Sequence, residues 1–165
     1  MTRQMVFKAA YFALRFGLGG AFVYAGVLKM LEPMLFAAAI DGYGLVSWDA
    51  AKTLARVLPV VEVAAGAGLI FDIRGALGLI VAQLLVFMGV LAWAMHLGLD
   101  VDCGCFGPSG LPPGITPPPQ EGLGEVTKAM IRDAVMLAGG GLIYWLRRFL
   151  GVRPWPRGRG VGRLG

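Results

Sequence analysis

Four long apolar runs constrain this chain more than any motif. A helix needs about 20 predominantly apolar residues to cross a bilayer. The segments Lys8–Leu31, Leu54–Phe71, Gly75–Leu97 and Met130–Phe149 meet that need. Hydrophobic residues make up 57% of the chain, above the roughly 45–50% of ordinary globular domains. These observations predict an all-α integral membrane four-helix bundle over residues 1–150, followed by a basic tail at 151–165. No room is left for a separate soluble domain. The first run is too long for a secretory h-region, and Lys29-Met30-Leu31-Glu32-Pro33 is a poor cleavage context, so a retained helix is expected.

The net charge is +5, but its distribution argues against nucleic acid. Arg147, Arg148, Arg153, Arg157, Arg159 and Arg163 crowd the end of the chain, Arg3 and Lys8 the start, and Arg74 separates the second and third runs. In a four-helix topology all of these share one side, which the positive-inside rule makes cytoplasmic. Both termini are then cytoplasmic, in the cell inner membrane, with the tail against anionic lipid. No aromatic-basic module accompanies the charge, so nucleic acid is not an expected partner. Asp41, Asp49, Asp100, Asp102, Glu121 and Glu125 mark the outer side.

Small residues recur every fourth position in the first run: Ala9, Ala13, Gly17, Ala21 and Ala25. Such a stripe predicts a close helix–helix contact. Gly75, Gly78 and Ala82, and then Ala134, Ala138 and Gly139-Gly140-Gly141, suggest the same for the last two runs. Met34 to Ala51 reads as a short helix at the outer interface, with Tyr43 and Trp48 as anchors. Pro59 is expected in the first turns of the second run, where proline is best tolerated. Residues 107–124 are rich in Pro and Gly and read as an extended loop that links helices or covers a site.

The only two cysteines lie one residue apart, Cys103-Gly104-Cys105, just beyond the third run. In an oxidising compartment neighbouring thiols tend to pair. A Cys-X-Cys ring is small, its geometry stores strain, and crosslinking it removes little chain entropy. The pair therefore reads as an exchangeable, redox-active disulfide; a structural bond and a metal clamp remain open. His96 lies about two turns earlier and is the proton acceptor within reach if the helix persists. In the metal reading Cys103, Cys105 and His96 are soft and borderline ligands. Ionisable residues inside a membrane segment are costly and commonly functional. Glu62 and Lys29 fall at similar depth and are expected to pair, with Tyr24 or Gln83 completing a polar cluster. That cluster either locks two helices together or forms a cofactor site for a quinone headgroup or a proton path beside the disulfide. Arg15 is expected to snorkel toward the cytoplasmic side.

Several of these residues resemble a known family. They are Arg15-Phe16 with Gly19, Phe22, Ala25-Gly26, Lys29 and Pro33; Leu58-Pro59 with Glu62 and Gly66; Asp102-Cys103-Gly104-Cys105-Phe106-Gly107; and Arg132-Asp133 opening the last run. Together they resemble the MauE family, within the broader DoxX-like group of four-helix membrane proteins. The resemblance implies extracytoplasmic thiol–disulfide chemistry alongside a thioredoxin-like partner, in the maturation of methylamine dehydrogenase. The implied fold is similar to vitamin K epoxide reductase and disulfide-forming membrane proteins, which pass electrons between thiols and quinone. The leading expectation is a membrane thiol–disulfide oxidoreductase, or the membrane half of one. The alternatives are a non-catalytic helical subunit of a larger membrane complex and a metal-handling protein.

Overall fold

The computed structural model describes residues 2–98 and 123–151. The Cys pair, the 107–124 loop and the basic tail beyond Gly151 lie wholly or almost wholly outside the described residues. Five helices follow one another: α1 (Thr2–Leu31), α2 (Pro33–Gly42), α3 (Trp48–Ile70), α4 (Ala76–His96) and α5 (Leu123–Leu150). Four of them, all but α2, are long and apolar enough to cross a membrane. The molecule is a four-helix membrane bundle, with α2 lying on α3 as a short accessory helix.

α1, α3 and α5 are longer than their apolar runs, which moves several residues, whereas α4 matches its run to within a residue at each end. α3 begins at Trp48 rather than near Leu54, so Pro59 sits in its interior and not in its first turns. α5 begins at Leu123 rather than near Met130, which carries Arg132 and Asp133 nearly three turns inside it. Hydropathy marks where a helix enters lipid and does not mark where it ends in water.

α1 packs chiefly on α3, α4 pairs with α5, and contacts of α1 with α5 and α3 with α4 close the bundle. On α3 the buried positions include Ala51, Ala55, Pro59, Glu62, Gly66 and Leu69, a row in steps of four and three. α1 answers with Tyr11, Leu18, Phe22 and Lys29. Glycine lets the two backbones meet. A Cβ on Gly66 would stand 2.6 Å from the Gly19 carbonyl oxygen, and one on Gly26 would stand 2.9 Å from that of Pro59. This is close approach of the small-residue kind, but through different residues from the expected stripe. Ala9, Ala13 and Gly17 are exposed, and only Ala21 and Ala25 turn partly inward. The reason is helical pitch: at about 100° per residue, a strict four-residue row rotates about 40° at every step.

One hydrophobic core of Leu18, Phe22, Leu69, Leu77, Ile80, Leu84, Ile143 and Leu146 fills the centre. Phe36, Ala37 and Ala55 form a second, where α2 lies on α3. Tyr43, expected as an interface anchor, is instead buried, whereas Trp48 is 41% exposed. Phe7 packs edge-on against Trp145 and Phe149, so α1 begins where α5 ends. The α3–α4 turn shares this terminal end. α4 ends, and α5 begins, at the opposite end.

Candidate functional site

Deep in the bundle, four charged side chains gather from three helices. Lys29 of α1 donates to Glu62 Oε1 at 2.5 Å, and both side chains are almost completely buried. The Lys29 ammonium also lies 5.0 Å from the ring centres of Phe36 and Phe87, which adds cation–π attraction in a dry setting. Arg132 of α5 pairs with the neighbouring Asp133 at 2.8 Å. Glu62 lies nearly four turns inside α3, whereas its partner Lys29 stands in the last turn of α1.

The pairing is incomplete. Glu62 Oε2 and Asp133 Oδ2 are buried without a hydrogen-bond partner among the described residues. Both residues line a cavity of about 30 Å³, together with Lys29 and Arg132. A buried charge in such a place is normally paired and hydrogen-bonded, so two open carboxylate oxygens beside a water-sized, largely apolar cavity are the exception in this bundle.

Beside this cluster lies a larger, apolar cavity of about 340 Å³. Phe36 and Ile40 of α2, Leu58 of α3, and Gln83, Val86 and Phe87 of α4 are among its walls. α2 packs on α3 and does not approach α4 among the described residues, and the cavity occupies that gap. Phe87 lines both cavities, and Phe36 stands between Lys29 and the larger one. Gln83 is only 8% exposed. Neither atom of its amide, Oε1 or Nε2, has a partner among the described residues.

At the terminal end a second cluster surrounds Asp72. Asp72 follows α3 at φ +57°, the left-handed region. Its N–H donates to the Leu69 carbonyl and that of Ile73 to the Gly68 carbonyl, at 3.0 and 2.7 Å. This is a Schellman C-cap with aspartate where glycine is usual. The carboxylate accepts from Tyr11 Oη at 3.1 Å and from Arg147 Nη2, and lies 3.6 Å from Arg15. Arg15 reaches toward the terminal end and pairs there; its guanidinium also rests near the Tyr11, Phe12 and Phe16 rings.

Of the expected site residues, the structure brings Lys29 and Glu62 together and sets Gln83 on the adjoining cavity. Tyr24 is 59% exposed and lines neither cavity. His96 closes α4 as an exposed residue. Cys103 and Cys105 lie outside the described residues. Arg132 and Asp133 join the site unexpectedly. Their signal was two adjacent charges beside an apolar run whose helix extends further back than its hydropathy.

Four spanning helices around a buried ionic core define an integral membrane protein of the helical-bundle class. The chain belongs to the MauE family: the family model described as methylamine utilisation protein MauE matches residues 7–146. No match is found among curated proteins or solved structures.

Proposed function

We propose that this chain is the membrane component of a thiol–disulfide relay, with its Cys pair on the extracytoplasmic side of the inner membrane. The observation that carries the reading is the position of the chain's only cysteines. Cys103 and Cys105 fall between α4 and α5, which are joined at the end of the bundle opposite Arg74, Arg147 and Arg148. The positive-inside rule sets the arginine end in the cytoplasm. The pair cycles between dithiol and disulfide, and a thioredoxin-like protein exchanges with it through a mixed disulfide. His96, exposed at the close of α4, takes the thiol proton and raises the thiolate fraction. The family description, methylamine utilisation protein MauE, supports methylamine utilisation as the process this relay serves.

Acid trapping in intact cells, followed by alkylation with a high-mass maleimide before and after reduction, tests the reading. A mixed population of dithiol and disulfide is expected, together with loss of partner oxidation or reduction in Cys103→Ser. A pair that is permanently oxidised, with an unchanged partner in Cys103→Ser, overturns it.

A second reading is favoured by the exposed Ala9, Ala13 and Gly17 face of α1. In it the chain is a non-catalytic subunit that presents this face to another membrane protein. Stoichiometric co-purification, lost in Ala13→Leu and indifferent to both cysteines, is the outcome that selects it.

A further inference from the structure

The cavity between α2, α3 and α4 holds one buried amide, that of Gln83, which is unpaired among the described residues. A buried amide without partners is costly, of the order of 1–3 kcal/mol. An apolar side chain at that position would be cheaper for folding alone. The size, about 340 Å³, is in the range of small-molecule sites, which combine apolar and aromatic walls with a few polar groups. Here the walls are Phe36, Tyr43, Leu58, Val86 and Phe87, and the polar group is Gln83. The site lies in the membrane-spanning part of the protein, so its ligand must itself dissolve in lipid.

We propose that this cavity binds the ring of a quinone, entering from the bilayer through the gap between α2 and α4. The amide supplies both halves of the needed chemistry. Its Nε2–H donates to a quinone carbonyl, and its Oε1 accepts from the hydroxyl of the corresponding quinol. Rotation about the three side-chain torsions of Gln83 turns the amide to either oxygen. Phe36 and Phe87 offer ring faces for offset or edge-on packing. An acyl chain fills such a cavity but leaves the amide unpaired, which is why the ring is preferred.

Coupling to thiols rests on the function proposed above; the binding site itself does not. In that coupling the Cys103–Cys105 dithiol loses two electrons and two protons. Two S–H bonds break, one S–S bond forms, and the quinone's two carbonyl oxygens become hydroxyls. The reverse balance holds when quinol reduces the disulfide.

The test uses the purified full chain in detergent, titrated with decylubiquinone and read by saturable quenching of tryptophan fluorescence. Gln83→Leu is expected to weaken binding about tenfold, the loss of roughly one neutral hydrogen bond, while leaving the thermal midpoint unchanged or raised. Ala82→Phe, which places a ring in the cavity, is expected to remove saturable binding without unfolding the chain. Decanol, which carries the chain without the ring, should not compete. Absence of saturable quenching overturns the proposal. So does equal competition by decanol with no effect of Gln83→Leu, which identifies a lipid chain as the occupant. Quinone binding that survives in the Cys103→Ser, Cys105→Ser double variant is expected in either case. If it persists while quinone never changes the thiol state of the native chain, the site stands and only its coupling to the thiols falls.

Discussion

The two charged clusters of this bundle are built from similar parts and finished differently. At the terminal end, both oxygens of Asp72 are engaged, by Tyr11, Arg15 and Arg147. Among the described residues the unpaired buried atom there is Arg15 Nε. In the buried cluster, Glu62 and Asp133 each leave one carboxylate oxygen unpaired among the described residues, and Gln83 nearby leaves its whole amide unpaired among them. A latch is expected to satisfy its groups. A site that binds or moves something must leave some free, because an occupied hydrogen bond cannot be offered to a ligand. The comparison therefore separates a carboxylate engaged through both oxygens from carboxylates that each keep one oxygen open among the described residues.

The largest expected effect lies in the buried cluster. Glu62→Ala leaves the Lys29 ammonium buried and unpaired and should cost about 3–5 kcal/mol, measured by thermal or denaturant unfolding in detergent. The double variant Lys29→Met, Glu62→Leu should recover most of that loss, because a buried ion pair is often replaceable by apolar residues. If thiol cycling disappears in this double variant while stability is kept, the pair does work beyond holding α1 to α3. Unchanged cycling reduces the cluster to a fastening like the other.

Asp72→Ala comes next, at about 1.5–3 kcal/mol, for the loss of hydrogen bonds to charged partners. Asp72→Gly should cost roughly 1 kcal/mol less, because glycine adopts the left-handed cap without a steric penalty. Equal losses in the two variants would show that backbone strain contributes nothing. Gly66→Ala follows at about 1–3 kcal/mol, since its Cβ would stand 2.6 Å from the Gly19 carbonyl oxygen. Smallest is Ala9→Leu, on the exposed face of α1, with a change within about 0.5 kcal/mol in the same unfolding assay. A large loss there would mean that the face is covered by a partner in the purified state.

The spanning helices were legible in the sequence because crossing a bilayer demands a length of apolar chain that few other roles require. The Lys29–Glu62 pair was legible for a related reason: two opposite charges at similar depth in lipid have few other partners. Packing detail was not. The every-fourth-residue row of α1 looks like a face on paper but drifts around a real helix, so Gly19 and Gly26 make the contacts instead. Tyr24 shares the neighbourhood of Lys29 in sequence yet points away from it, because adjacent turns do not share an orientation at that spacing. Asp72 looked like an ordinary turn residue, since nothing in a local pattern reveals that arginines 57 positions before and 75 positions after it converge there.

The Asp72 turn has one more consequence, for how the chain is put together. Its ligands come from the early part of α1 and from the last turn of α5. Translation delivers them at opposite ends of synthesis. Until Arg147 has emerged and α5 has inserted, the aspartate answers only to α1 and carries charge that α5 has yet to balance. The latch closes last, and a chain truncated just before Arg147 would carry nearly all of the four apolar runs without the clasp that closes the bundle.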